Sequence, residues 1–125
     1  MPGVTLDAGA LIALDRDDRR VVVLLARAAQ RGARVTVPAT VLAQAVRQPS
    51  RQARLSRLVR QTTTDVVALD RLDAVEVGRV LAASSSSDIA DAHVVVCARR
   101  AGQAVVTSDA PDLRRLDPEL ELIEV

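Results

Sequence analysis

The chain has 125 residues and a formal net charge of +1, and 49% of it is hydrophobic although it contains no Phe, Tyr or Trp. This length suits one domain with its own core, spanning residues 1–125, and the missing aromatic side chains disfavour nucleic-acid binding by base stacking. No apolar run reaches the about 20 residues that a membrane-spanning helix needs. The start, Met1-Pro2-Gly3, lacks the features of a signal peptide. We therefore expect a soluble, cytoplasmic protein, whose one cysteine, Cys97, lies reduced in an apolar run.

Short Val-rich runs alternate along the chain with longer amphipathic segments, which predicts a mainly parallel α/β sheet covered by helices. The predicted strands are about Val4–Leu6, Arg34–Val37, Asp65–Leu69, Ala104–Thr107 and Leu120–Glu124. The predicted helices are about Ala8–Leu14, Arg19–Arg31, Pro38–Arg47, an arginine-rich helix ending near Gln61, Arg71–Ala83, Asp88–Ala101 and Pro111–Leu116.

Single residues mark several of these helix ends. Asp17 or Asp18 is expected to cap the second helix and Asp70 the helix after the third strand, because a carboxylate at this position accepts from free backbone amides. Gly32 and Gly102 are expected to end helices, because glycine adopts the left-handed conformation there without strain.

Aspartates follow two of the predicted strands. Asp7 comes directly after the first strand, Asp109 comes just after the fourth, and Asp91 lies at the start of a long apolar helix, beside Asp88. Right-handed crossovers put the first and fourth strands together, and the carboxyl ends of parallel strands form the ligand crevice of such sheets. We therefore expect these acids at one edge, with the N-terminus of the Asp88 helix pointing towards it. Carboxylates gathered in a chain without lysine indicate a hard divalent cation held by oxygen.

Structural alternatives remain open for most of these residues. Asp7 and Asp88 can act as helix N-caps, Asp109 can begin a turn, and Asp112 can cap the last helix. Only Asp91, an acid within an apolar helix, has no obvious structural role. His93 lies two residues further on and therefore points to another side of the helix, where we expect a packed or interface histidine.

Arginine supplies all of the positive charge and is clustered at residues 16–20, 27–34, 47–60 and 99–100. The predicted helix that ends near Gln61 has Leu55, Leu58 and Val59 on one side. A solvated arginine face is one interpretation, and a groove for a partner segment or a nucleic-acid backbone is the other.

Four segments carry a resemblance to a known family: Val4–Leu14, Val37–Gln44, Asp88–Ala98 and Val105–Leu113. In this order and spacing they resemble the four motifs of PIN domains, and specifically those of VapC-type toxins of bacterial toxin–antitoxin pairs. The resemblance covers essentially the whole chain. It implies a PIN-like three-layer α/β/α sandwich with a mainly parallel central sheet of about five strands.

The resemblance also implies a function. The chain would be a Mg²⁺- or Mn²⁺-dependent endoribonuclease toxin that hydrolyses phosphodiester bonds of RNA, is neutralised by a cognate antitoxin and forms a homodimer. Asp7, Asp91 and Asp109 fall on the family's catalytic metal-site acids. Asp112 falls on a frequent auxiliary acid, and Asp88 and Gln44 are further candidates for metal binding.

Gln44 departs from the family pattern, which has Glu at this position. A neutral amide can offer one oxygen to a cation but adds no charge and cannot act as a general base. Three alternatives follow: an active enzyme with three aspartates, an active enzyme in which Asp88 compensates, or a weakly active or inactive domain that binds RNA or an antitoxin. A Mg²⁺-dependent receiver or phosphatase-like domain also fits acids at strand ends, but the chain lacks the lysine expected there.

Overall fold

The computed structural model describes residues 3–125, so the chain start at residues 1 and 2, where no signal peptide is predicted, lies outside the described residues. The strands are β1 (Val4–Leu6), β2 (Val35–Pro38), β3 (Thr64–Val67), β4 (Ala104–Thr107) and β5 (Leu122–Glu124). The helices are α1 (Ala8–Asp15), α2 (Arg19–Gln30), α3 (Ala39–Ala45), α4 (Ala53–Arg60), α5 (Arg71–Ser84), α6 (Ile89–Ala101) and α7 (Ala110–Leu116), with a short 3₁₀ helix at Pro49–Arg51.

The five strands form one sheet in the order β3-β2-β1-β4-β5, and every neighbouring pair is parallel. The predicted α/β fold with about five strands is therefore confirmed, and the sheet is entirely parallel. Strand β1 lies at the centre, with Thr5 paired to Thr36 of β2 and to Val105 of β4. The expected adjacency of the first and fourth strands is confirmed, so their carboxyl ends meet at one edge.

The core contains Val, Leu and Ala from the sheet and from the helices packed on it. Helix α6 contributes most, because every residue from 92 to 98 is buried. It packs on β1, β2 and β4 and also contacts α3, α5 and α7. Burial on nearly all sides explains why its sequence is an almost unbroken apolar run rather than an amphipathic repeat.

Capping aspartates and glycines predicted several helix ends correctly. The side chains of Asp18 and Asp70 cap α2 and α5 as predicted, accepting from the amides of Arg20 and Asp73. Gly32 and Gly102 follow α2 and α6 with φ of 64° and 63°, the left-handed conformation that glycine adopts readily.

Several predicted boundaries differ because tertiary pairing sets them. Strand β3 ends at Val67 rather than Leu69, because its partner β2 ends at the paired residue Pro38. Pro38 ends that strand instead of opening α3. The helix also stops two residues early, since the Gln52 side chain donates to the Ala45 carbonyl and accepts from the next free amides.

Two further segments are shorter than predicted. The arginine-rich segment is divided between the 3₁₀ helix and α4, and β5 begins at Leu122 rather than Leu120, because a turn bond joins the Leu120 amide to Asp117. No helix within residues 3–125 is both long and apolar enough to cross a membrane.

Candidate metal centre

The acids predicted to meet do meet at the carboxyl edge of β1 and β4. Asp7 follows the last residue of β1, and its amide donates to the carbonyl of Val106 in β4 at 3.3 Å. Asp109 follows β4 by two residues, and its amide donates to Thr107 Oγ1 at 2.8 Å. The parallel register that pairs Leu6 with Val106 therefore holds both acidic loops side by side.

Gly9 permits this close approach of the two loops. A Cβ atom added at Gly9 would lie 2.1 Å from Ser108 Oγ and 3.5 Å from Asp7 Oδ1. Any larger residue would require the Ser108 hydroxyl to turn away from the first turn of α1. The glycine in the first motif thus has a packing reason at the edge that carries the acids.

Asp7 is the most buried of the grouped acids, with 4% of its surface exposed. Its Oδ1 accepts from the amide of Ala10 at 2.8 Å, so its predicted capping role is confirmed. Burial raises the pKa of the Asp7 carboxyl, although hydrogen bonds from Thr107 and from the Ala10 amide oppose that rise. A buried carboxylate favours any cation that offsets its lost hydration.

Asp91 has the largest pKa shift among the grouped acids. It lies in the first turn of α6, where its amide donates to the N-cap residue Asp88 at 3.0 Å. Burial, followed by repulsion from Asp88, Asp7, Asp112 and Asp109, raises the pKa of Asp91 to about 7. One side chain thus senses four other carboxylates, the arrangement expected where a cation is to be bound.

Asp109 and Asp112 form a carboxyl pair at the exposed side of the group. A hydrogen bond with Asp112 is the main cause that raises the pKa of Asp109. Asp112 lies in the first turn of α7 and accepts from Arg115 Nη2 at 2.6 Å. Asp109 itself occupies the N-cap position without a capping hydrogen bond from its side chain. Both acids are therefore available on the open side of the cleft.

The charge of this group is largely unbalanced within the described chain. Between residues 3 and 125, no arginine forms an ion pair with Asp7, Asp91 or Asp109, and the nearest one, Arg115, pairs with Asp112. Several carboxylate oxygens with raised pKa values, and only one arginine paired to the group within residues 3–125, fit a hard divalent cation such as Mg²⁺ or Mn²⁺, which takes oxygen ligands.

Gln44 lies on the α3 side of this edge. Its side chain is exposed and lines an open cleft of about 570 Å³ together with Thr40, Ser87 and Asp88. Asp88, proposed above as a compensating acid, lines this cleft and also the cleft that contains Asp91 and Asp112. Its predicted N-cap role is also confirmed.

A second cluster of polar residues, which the sequence did not predict, lies between α5 and α6 and contains one carboxylate. Asp73 of α5 is 2% exposed and is paired with Arg100 and with His93 Nε2, the latter at 3.3 Å. The Arg100 guanidinium is the main cause that lowers the pKa of Asp73. His93 is fully buried, as expected of a packed histidine. Its presence in an apolar helix was the one signal that a buried polar partner must exist.

Cys97 completes this cluster but gives it no evident ligand-binding role. Its sulfur lies within 4.8 Å of donor atoms of Asp73 and His93. Burial raises the pKa of the Cys97 thiol to about 12, and the carboxylate of Asp73 is already neutralised by Arg100. Metal ligands need a thiolate and a free carboxylate, so the acids near Asp91 are the better candidate.

Comparisons with known proteins agree with this architecture. The family model described as PIN domain matches residues 4–117. The chain belongs to the PIN domain family. No curated protein matches this PIN domain.

Solved structures share its fold at low sequence identity. VapBC2 from Rickettsia felis, bound to a DNA fragment from their promoter, is 14% identical with a TM-score of 0.71, covering 98% of each chain. FitAcB from Neisseria gonorrhoeae is 15% identical with a TM-score of 0.67, covering 97% of this chain and 96% of that one. FitAB bound to an IR36 DNA fragment is 14% identical with a TM-score of 0.66, covering 97% and 94%. At this identity the matches establish the fold.

Proposed function

We propose that this PIN domain is a metal-dependent endoribonuclease of the VapC-like toxin type. The observation that carries the proposal is the convergence of four other carboxylates on the partly buried Asp91: its burial, followed by their repulsion, raises its pKa to about 7. In this proposal Asp7, Asp91 and Asp109 hold Mg²⁺ or Mn²⁺. Asp88, Asp112 and Gln44 lie where they can add an oxygen ligand or bind water of the ion.

The ion would supply a bound water of lowered pKa and would stabilise negative charge on the phosphate of RNA. The residues of the chain would do the rest. Asp7, held rigidly by the Ala10 amide, fixes the buried end of the site. Because the pKa of Asp91 is about 7, a fraction of the metal-free chain would keep a proton on this carboxyl group at neutral pH. Metal binding would displace that proton, so we expect proton release on binding. Asp109 and Asp112 face the open side, where the phosphodiester would enter.

A non-catalytic PIN domain that binds RNA or an antitoxin is the second candidate. Gln44 favours it, because a neutral amide replaces an acid at the edge of the centre. Such a domain could still bind a cation through the three aspartates. The two candidates differ in cleavage and agree in metal binding, so both must be measured.

Cleavage of total RNA by the purified chain in Mn²⁺ tests the proposal, beside Asp91→Asn and the matched control Asp65→Asn. Asp65 is an exposed acid of β3 paired with Arg34, far along the sheet from Asp91. We expect discrete fragments from the natural chain and from Asp65→Asn, and none from Asp91→Asn. Metal-dependent cleavage that Asp91→Asn leaves unchanged overturns the nuclease centre.

Calorimetry with Mn²⁺ on the same three proteins separates the two candidates. A natural chain that binds Mn²⁺ through Asp91 but produces no fragments supports the non-catalytic domain. A natural chain that neither binds Mn²⁺ nor cuts RNA overturns both.

We further propose that an antitoxin segment docks along α2. Only Val21 of this helix is fully buried, although the helix contains a run of five Val and Leu residues. Two grooves flank it: one of about 260 Å³, lined by Leu25, Leu58, Arg54 and Arg57 among others, and one of about 600 Å³, lined by apolar residues and four arginines. An amphipathic partner helix with acidic residues would match this apolar floor and positive border.

Binding of a synthetic acidic amphipathic helix tests this surface, with Leu25→Asp as the disrupting variant. Equal binding by the natural chain and Leu25→Asp overturns the assignment. Homodimer formation is proposed on the family resemblance alone, and a monomer mass by light scattering at micromolar concentration contradicts it.

A further inference from the structure

A buried chain of polar groups crosses the interior and ends beside the candidate metal centre. Arg100 pairs with Asp73, Asp73 Oδ2 lies 3.3 Å from His93 Nε2, and His93 Nδ1 lies 2.8 Å from Thr40 Oγ1. Asp73 and His93 are 2% and 0% exposed. The chain therefore links α5, α6 and α3, and its two central groups, Asp73 and His93, are shielded from water, where a hydrogen bond matters more than at the surface.

The direction of these hydrogen bonds follows from chemistry. An ionised carboxylate only accepts, so His93 Nε2 carries the hydrogen that points to Asp73. In the tautomer that carries its one ring hydrogen on Nε2, Nδ1 is unprotonated and accepts from the hydroxyl of Thr40. Both ring nitrogens are occupied, so the imidazole has one orientation, and Thr40 is held in one place.

Helix α3 has few other polar contacts that could fix its position. It has seven residues, and its N-cap residue Pro38 makes no capping hydrogen bond with a side chain. Within residues 3–125, the bond between Thr40 and His93 is the only side-chain hydrogen bond that joins α3 to α6. Packing holds the helix against α1 and α6, but this bond sets its register along α6.

Gln44 follows Thr40 by one helical turn. Residues at i and i+4 share one face of a helix, and both side chains line the same cleft, next to Asp88. Asp88 is in turn the N-cap of the helix that carries Asp91. The place of Thr40 against α6 thus bears on how close Gln44 lies to Asp88, the acid that shares its cleft.

We propose that Thr40 and His93 are positioning residues that fix Gln44 at the neutral side of the acidic cleft, so that its side-chain oxygen can reach the bound cation or its water. The inference rests on the proposed metal centre. It adds a role for two side chains that do not themselves contact the carboxylate group, and it explains a buried histidine chain that ends at this helix.

A double-mutant cycle on Mn²⁺ affinity tests the positioning role. Gln44→Glu restores a charge at this position, and we expect it to tighten Mn²⁺ binding about tenfold in the natural background. In Thr40→Val, which has nearly the same shape but no hydroxyl, the gain from Gln44→Glu should shrink to about twofold. In Thr40→Ser, which keeps the hydroxyl, the gain should return. Equal gains in the natural and Thr40→Val backgrounds overturn the proposal, because independent sites give additive effects.

A pair of His93 variants gives the same test if Thr40→Val does not fold. Asn places its side-chain oxygen near the position of Nδ1 and can still accept from Thr40, whereas Gln reaches towards Asp73 and leaves Thr40 without a partner. The gain from Gln44→Glu should persist in His93→Asn and be lost in His93→Gln. Equal gains in these two backgrounds overturn the proposal.

Calorimetry on Asp91→Asn distinguishes failure of the inference from failure of the centre. Unchanged Mn²⁺ affinity in Asp91→Asn overturns the metal centre and the positioning role together. Weakened affinity in Asp91→Asn, with no gain or background-independent gains from Gln44→Glu, overturns the positioning role alone.

Discussion

Helix α6 borders a group of five acidic residues and, separately, the single acid Asp73, and the two sites differ in how their charge is balanced. On one side Asp91 faces Asp7, Asp88, Asp109 and Asp112, and its pKa rises to about 7. On the other side Asp73, which is more deeply buried, is paired with Arg100 and His93, and its pKa is lowered.

Burial alone therefore does not mark a functional acid in this protein. Asp73 is 2% exposed and satisfied by its neighbours, so it links helices. Asp91 is partly buried, so its carboxylate loses hydration and is also repelled by its neighbours, and a cation would offset both effects. The missing counter-charge, rather than the depth, distinguishes the candidate metal centre from the structural cluster.

The largest expected effect is the loss of stability when the structural cluster loses its acid. Asp73→Asn removes the charge that Arg100 and His93 share, and we expect the free energy of unfolding to fall by about 3 kcal/mol. This is the low end for a buried pair, because the Arg100 side chain is 56% exposed and can turn to water. Urea unfolding measures the change.

The exposed pair of Arg34 and Asp65 provides the control for that prediction. Asp65→Asn should cost under about 0.5 kcal/mol, as for surface ion pairs in general. If Asp73→Asn lowers the free energy of unfolding no more than Asp65→Asn does, Asp73 is not stabilised by its pairing with Arg100 and His93.

The next effect is a pH dependence of stability in which the contribution of an aspartate falls as pH rises. Folding raises the pKa of Asp91 from 3.8 to about 7, so the folded metal-free chain binds this proton more tightly than the unfolded chain does. The contribution of Asp91 to stability therefore falls as pH rises from about 4 to about 7 and is constant above that. Asp91→Asn should remove this decline, gaining on the order of 2 kcal/mol over the natural chain between pH 4 and pH 8.

Urea unfolding in EDTA at pH 5 and pH 8 checks this sign. Saturating Mn²⁺ should restore the natural chain at pH 8 and leave Asp91→Asn unaffected, because a ligand that binds only the folded state stabilises it. A difference between the two proteins that is equal at both pH values contradicts the prediction.

The smallest effect separates the two roles of Asp88. This residue caps α6 through the Asp91 amide and also repels the Asp91 carboxylate. Asp88→Ala should cost about 1 kcal/mol by loss of the cap, whereas Asp88→Asn keeps an accepting oxygen and should cost little. Both variants should lower the pKa of Asp91, which an NMR titration follows. If that pKa stays at about 7 in both, Asp88 is not part of the acidic group.

Part of the candidate site could be predicted from the sequence, because two of its acids follow recognisable strands. Asp7 and Asp109 each come just after an apolar run, and the adjacency of β1 and β4 followed from crossover handedness. The role of Asp73 could not be predicted from the sequence, because its partners Arg100 and His93 are 27 and 20 residues away in the chain. No local pattern links residues at that separation.

The sequence by itself determined the alternation of strands and helices, the capping roles of Asp7, Asp70 and Asp88, a cap at Asp17 or Asp18, and the left-handed glycines after two helices. These features depend on backbone conformation and on hydrogen bonds within a few residues. Only the tertiary structure decided where β3 stops, how Thr40 is held by His93, and that Asp91 is repelled while Asp73 is neutralised. Those outcomes depend on which side chains packing brings together, and distant charges act on a carboxyl group only once the chain has folded around it.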